Sequence, residues 1–231
     1  MRYGQIIEAH FLERPNRFLA RVRIPGQTET ETVHVKNTGR CRELLLPEAR
    51  VVLAVSDNPK RKTRCDLIGV YKAGVGYINM DSQAPNQMVK EWLQDPGNSF
   101  FSNITYLKPE YRYGASRIDF YLEEGEEKVL IEVKGVTLER DGIGYFPDAP
   151  TERGIRHLGE LAAAAAQGYR CYIAFVIQIP GVRVVLPNVE NHPQFAEALR
   201  DAEAAGVRIL YLGCRMSPEE VVIDWADQKK R

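Results

Sequence analysis

The sequence predicts two fold classes in series: an OB-type β-barrel over residues 1–82 and a mixed α/β domain over residues 83–231. Three observations predict them. Up to residue 80 the chain breaks into short runs that alternate apolar and polar residues, the signature of half-buried strands. Beyond residue 85, runs with helical period interleave with strand-like ones, the texture of an α/β layer. Charge divides at the same place. Residues 1–80 carry 14 basic and 8 acidic side chains, and residues 81–231 carry 17 and 23, so the net charge of zero hides a basic part and an acidic part.

The elements follow in order. Gln5–Phe11 is β-like. Arg17–Ile24 alternates, with Phe18, Ala20, Val22 and Ile24 expected inward and Arg17, Arg21 and Arg23 outward. Thr30–Val35 is a third strand, Arg40–Leu46 a short helix ended by Pro47, and Arg50–Val55 and Asp66–Tyr71 two more strands. Three strands, a helix and two strands is the order of an OB barrel, whose open face commonly binds oligonucleotides; other small barrels share that strand count. Gly76–Asp81 reads as one extra strand leading into the boundary. Pro85 opens a helix over Asn86–Gln94, closed by Asp95-Pro96-Gly97. Ile104–Tyr111 is extended, and Arg117–Leu122 and Val129–Val136 are strands separated by an acidic turn. Thr151–Gln167 is a helix with Ile155, Leu158, Leu161, Ala162 and Ala165 on one face. Cys171–Ile179 reads as a strand buried on both sides, and a helix over Gln194–Ala205 feeds the strand Arg208–Leu212.

Composition excludes several classes. With 44% hydrophobic and 27% charged residues the chain has apolar surface enough to fold, which argues against disorder. No apolar run reaches the ~20 residues that span a bilayer, and the first residues lack the apolar core of a signal peptide. Cys41, Cys65, Cys171 and Cys214 lie far apart, which predicts reduced buried thiols in a cytoplasmic protein rather than a zinc site.

The chemistry-bearing constellation is Asp119 with Glu132-Val133-Lys134. Glu132 and Lys134 are two apart on a strand and share a face. Asp119 is 13 residues earlier on the strand paired with it, where pairing can bring its carboxylate beside Glu132. Two carboxylates at one point suit a hard divalent cation such as Mg²⁺. Such an ion polarises a phosphoryl oxygen and lowers the pKa of bound water. The Lys134 ammonium could orient that water or stabilise developing charge. A Glu-x-Lys pair alone is far more often an ordinary surface ion pair. Here its apolar flanks, the Asp on the neighbouring strand, and the helix and strand that follow favour a site.

Other residues fit nucleic acid or a plain solvated surface alike. Thr151–His157 opens a helix whose N-terminus, Arg153 and Arg156 would favour phosphate. Tyr145 and Phe146 could stack on bases or pack over the sheet. Lys36, Asn37 and Arg40 leave a strand on a polar loop, and Lys60-Arg61-Lys62 is the densest basic run, in a loop between two barrel strands.

Together these residues resemble the sugar fermentation stimulation protein A family. The matching stretches are Arg17–Ala20, Asn37-Thr38-Gly39, Ser56-Asp57-Asn58 before Lys60-Arg61-Lys62, Ser116–Phe120, Ile131–Lys134, and Gly144–Ala149 running into Thr151–Gly154. The resemblance implies an N-terminal OB-fold-like barrel followed by a PD-(D/E)xK nuclease-like α/β domain. It also implies non-specific DNA binding and a regulatory link to sugar metabolism, notably maltose. Asp119 matches the metal Asp of the nuclease signature, Glu132 its second carboxylate and Lys134 its lysine. Ile118 stands where that signature usually has proline. Glu91, on the preceding helix, is a candidate for the additional helical carboxylate. Arg117, beside Asp119, joins Arg17, Lys36, Asn37, Arg40, Lys60, Arg61, Lys62, Arg153 and Arg156 as candidate nucleic-acid contacts.

The expected function is therefore DNA binding, with RNA as an alternative partner, joined to a Mg²⁺- or Mn²⁺-dependent phosphodiesterase site. The competing readings are a catalytically silent DNA-binding regulatory module on the same fold, and an enzyme acting on a small phosphorylated substrate.

Overall fold

The computed structural model describes residues 1–37, 39 and 41–229. Its first sheet runs in the order β3-β2-β1-β4-β5-β6, with β1 Ile6–Asn16, β2 Leu19–Arg23, β3 Thr30–Val35, β4 Arg50–Val55, β5 Cys65–Lys72 and β6 Gly76–Asn79. A parallel pairing of β3 with β5, His34 opposite Asp66 and Val35 opposite Leu67, closes the first five strands into a barrel. Alternation along β2 works as expected: Ala20 and Val22 are buried while Arg21 and Arg23 are exposed and reach Glu13 and Glu48. Phe18 departs from it and is 45% exposed. The Asn16 side chain accepts the N–H groups of Phe18 and Leu19, so a turn ends at Phe18 and the strand begins one residue later.

The helix expected over Arg40–Leu46 does not form among its described residues. Leu44 and Leu45 both donate to the Cys41 carbonyl in a single turn, and Cys41 has φ +45°. So short a segment gains too few helical bonds to offset nucleation.

The second domain has a six-stranded sheet in the order β15-β14-β12-β9-β8-β7. Its strands are β7 Ile104–Tyr113, β8 Ser116–Glu124, β9 Glu127–Val136, β12 Arg170–Ile177, β14 Arg208–Met216 and β15 Val221–Gln228. Strands β9, β12 and β14 are parallel and the outer pairings antiparallel. Helix α1, Ala84–Gln94, packs on β9 and β15, whereas α2, Glu152–Ala165, packs on β12 and on α3, Pro193–Ala204. The sequence reading did not anticipate the small sheet of β10 Leu138–Arg140, β11 Ile143–Phe146 and β13 Val185–Pro187, nor β15. No helix of the described residues is long and apolar enough to cross a membrane. All four cysteines are buried and outside any disulfide.

The two sheets share packing. Val52 and Ile68 point out of the barrel and join Met88, Val89 and Leu93 of α1 in one apolar cluster. Their burial fixes how the barrel sits against α1, the helix that carries Asn86, and against Met216 and Val221.

Candidate active site

The site grows from a kink shared by β7 and β8. Pairing skips the Glu110–Asp119 position, between Pro109 opposite Phe120 and Tyr111 opposite Ile118. Glu110 adopts φ +54° there, in the left-handed region that L residues seldom enter. Both strands change face across the kink. Ile118 belongs to the apolar cluster that holds Leu158 and Leu161 of α2, but Phe120, two residues on, belongs to the one that holds Met88 and Val89 of α1. Regular alternation would put both on one side. Asp119 sits at the crossover.

The β8–β9 ladder ends at Phe120 opposite Ile131. Beyond it the Asp119 side chain takes over: its Oδ2 accepts the Val133 N–H at 2.7 Å, and its Oδ1 accepts from Asn86 Nδ2 of α1 at 2.7 Å. Glu132 follows on β9 and is 2% exposed. Its Oε1 accepts from Lys134 Nζ at 2.6 Å and from His157 Nδ1 of α2. Its Oε2 is buried with no hydrogen-bond partner. Asp119, Glu132 and Lys134 thus lie together, as the β8–β9 pairing predicts.

Burial and the neighbouring Glu132 charge push the Asp119 carboxyl up to about 6, against the lowering effect of the Val133 N–H, Lys134 and Asn86. Burial acts on Glu132 in the same sense, but the hydrogen bond from His157 and the Lys134 charge outweigh it and hold Glu132 below the usual carboxylate range. One crowded carboxylate and one orphaned carboxylate oxygen are the donors a hard divalent cation takes. The residues therefore fit such an ion, held by Asp119 and Glu132 Oε2.

Glu91 is not brought to this point. It accepts from Gln87 and pairs with the Met1 amino group at 2.6 Å. Five residues after Asn86, it lies about 140° further round α1, whereas Lys90 returns to the Asn86 side. No group of three His, Cys, Asp or Glu side chains among the described residues could hold a metal.

His157 is the residue that sequence reasoning underrated. Thr151 caps α2 by accepting the Gly154 N–H at 3.0 Å, and the buried face is Gly154, His157, Leu158, Leu161 and Ala164. A stripe traced through the apolar residues Ile155, Leu158, Leu161, Ala162 and Ala165 alone is rotated away from His157. The i, i+3, i+4, i+7 spacing from Gly154 already contains it.

Two clefts flank the site. One of about 410 Å³ is lined by Lys36, Asp81, Asn86, Lys90, Glu110 and Asp119 among others. The other, about 330 Å³, runs past Asn37, Gly39, Gly135, Tyr145, Asp148 and Thr151. Lys36 of the barrel thus lines the first cleft, and Asn37 and Gly39 line the second. Arg14 donates to the carbonyls of Arg17, Asn37 and Gly39. A side chain at Gly39 would meet Asp148 Oδ2 at 2.7 Å.

The other candidate contacts differ in what they are free to do. Lys36 pairs with fully buried Asp81 at 2.7 Å, and the Asn37 Oδ1 accepts the Gly39 N–H. Arg61 is committed to Asp66 through two hydrogen bonds, with His34 on the same carboxylate. Lys60 and Lys62, either side of it, are exposed. Arg17 is exposed over the Phe18 ring, and Arg117 pairs with Glu110 at 3.0 Å. Arg153 donates from Nε to His157 Nε2 at 3.3 Å, and Arg156 is exposed. Arg40 lies outside the described residues.

The fold and the site define a two-part protein, an OB-fold domain joined to a mixed α/β domain with paired carboxylates at its centre. Family models match accordingly: the SfsA N-terminal OB domain over residues 12–80 and the sugar fermentation stimulation protein RE domain over residues 83–220. The chain belongs to the sugar fermentation stimulation protein family. It is 55% identical over 214 residues to a sugar fermentation stimulation protein homolog of Ruminiclostridium cellulolyticum, covering 93% of this chain and 92% of that one. A homolog from Desulfitobacterium hafniense strain DCB-2 is 49% identical over 221 residues, covering 96% and 94%. The structure of Pyrococcus furiosus SfsA in complex with Ca²⁺ superposes with a TM-score of 0.80 at 30% identity, over 98% of this chain and 96% of that one.

Proposed function

We propose that this protein binds DNA and cleaves its phosphodiester bonds with a divalent cation held by Asp119 and Glu132. The observation that carries the reading is Glu132 Oε2, a buried carboxylate oxygen without a partner, beside an Asp119 crowded by the same charge. The Ca²⁺ bound by the Pyrococcus relative supports it. When bound, Mg²⁺ or Mn²⁺ would polarise the scissile phosphate and acidify a water. The protein does the rest. Asn86 and the Val133 N–H fix the Asp119 carboxylate, while Lys134, paired to Glu132 at 2.6 Å, holds an ammonium where negative charge would develop. In this reading the chain divides at residue 82 into a DNA-holding barrel and a cutting domain, and it works in the cytoplasm. Arg17, Lys60 and Lys62 supply exposed positive charge for the polyanion.

The test is cleavage of single- and double-stranded DNA, and of RNA, with Mg²⁺ or Mn²⁺. Wild type should cut, and Lys134→Met should lose about 100- to 1,000-fold in rate with its fold intact. Equal rates for the two proteins would refute the site.

A second reading, a silent DNA-binding module with a regulatory role in sugar metabolism such as that of maltose, is favoured by the same Lys134–Glu132 pair. There the ammonium already stands where a cation's charge would act. It predicts no cleavage with any metal, but salt-sensitive DNA binding that weakens in Lys60→Glu/Lys62→Glu.

A further inference from the structure

The geometry points to Arg153 and His157 as positioning residues that fix which oxygen of Glu132 meets a cation. The inference rests on the proposed metal site and adds residues that the nuclease signature does not include.

His157 is 2% exposed on α2, with its two ring nitrogens turned to different partners. Nε2 faces Arg153 Nε at 3.3 Å. A guanidinium only donates, so Nε2 carries the lone pair and Nδ1 carries the proton. The ring is then a neutral donor aimed at Glu132 Oε1. Lys134 Nζ donates to the same oxygen at 2.6 Å. Two donors occupy Oε1, and Oε2 is left buried and bare. Glu132 can therefore offer one oxygen without breaking a hydrogen bond, which makes it a one-oxygen ligand. Released from His157, the carboxylate could rotate about its last torsion and present either oxygen or both. Among the described residues no hydrogen bond occupies the Arg153 Nη atoms, and Arg153 is exposed. The same guanidinium that sets the tautomer is thus open toward solvent.

Substitutions at His157 separate this role from mere packing. Asn places its Nδ2 donor near the position of the histidine Nδ1. Gln places its amide nearer that of Nε2. Mn²⁺ and Ca²⁺ uptake is measured by calorimetry on full-length protein, with circular dichroism melts as the control for folding. His157→Asn should bind within about threefold of wild type. His157→Gln and His157→Leu should weaken binding by about 10- to 100-fold, the usual cost of losing a group that orients a metal ligand. Arg153→Met should weaken it less than His157→Leu does. Ring ¹⁵N shifts of His157 in the metal-free protein should show a protonated Nδ1 and a bare Nε2. Wild-type uptake with His157→Gln equal to wild type, or His157→Asn as weak as His157→Leu, would overturn this inference alone. A protonated Nε2 would overturn it as well. No uptake by wild type would remove the metal site itself, and this role with it.

Discussion

Asp119 serves two masters, the β-ladder and the candidate metal site, and its protonation reports the conflict. Its carboxyl is raised from an ordinary 3.8 to about 6 in the folded protein. The unfolded chain therefore releases this proton at lower pH than the folded one. Without metal, the Asp119 contribution to stability falls as pH rises from about 4 to about 6 and is level above that. Asp119→Asn keeps an acceptor for the Val133 N–H, and Asn86 can turn its amide to match. The difference in unfolding free energy between variant and wild type, measured in urea with chelator, should grow in the variant's favour across that interval. It should reach roughly 2 kcal/mol, because each tenfold change in acidity between the folded and unfolded chain corresponds to about 1.4 kcal/mol. A difference that stays flat from pH 4 to 7 would show that Asp119 titrates normally. The residue scale is also where sequence reading was strongest and weakest. Asp119, Glu132 and Lys134 were legible as neighbours, because strand period and the β8–β9 register place them side by side, but the kink that turns the Asp119 carboxylate to the Val133 N–H was not. Glu91 and Arg61 were not. Whether a charged side chain is already engaged by Met1 or by Asp66 depends on contacts across 90 residues in one case and on a loop conformation in the other.

The kink between β7 and β8 is the element that makes the site. Glu110 holds it with φ +54°, at a cost of about 1–2 kcal/mol for an L residue. Glycine takes that conformation without the clash, and a β-branched residue resists it most. Glu110→Gly should therefore be more stable than Glu110→Val by at least ~1 kcal/mol in urea unfolding. The exposed pair with Arg117, lost in both variants, contributes little to either. Equal stabilities would mean that the kink is held by something other than the backbone of residue 110. The sequence gives no hint of it, since glutamate between Pro109 and Tyr111 reads as an ordinary exposed strand position. The strands and helices themselves were legible wherever an apolar period ran long enough, as in β5, β9, α2 and β12. Short elements escaped. Strands β10 and β13 have three residues each and exist because they pair with β11, which no local pattern reports.

Across the whole molecule, the barrel and the α/β domain are tied by side chains that belong to both. Ile68 is fully buried on the outside of the barrel, within the cluster that holds α1. Ile68→Ala should cost about 2–5 kcal/mol by opening a cavity there. The loss should appear as one cooperative transition, with the same midpoint by far-ultraviolet circular dichroism and by tryptophan fluorescence, since Trp92 and Trp225 both lie in the second domain. Two separated midpoints would show that the barrel unfolds alone. The division of charge was legible in the sequence, whereas the shared cluster was not. Val52 and Ile68 break the alternation of their strands, in the apolar runs Val51-Val52-Leu53 and Leu67-Ile68; such a run marks burial on both faces but not that the second domain is what covers the outer one.

The Asp119 carboxylate stands in for a backbone carbonyl opposite the Val133 N–H, and this constrains how such a protein can change over generations. If the proposed hydrolysis is the protein's activity, a lineage that gave it up would gain nothing from a small apolar residue at 119, because an unpaired amide would be left inside the sheet. Asparagine silences the chemistry and keeps the strand paired. Descendants that lost activity should therefore carry asparagine at this position more often than alanine, and would still look, by their fold, like working enzymes.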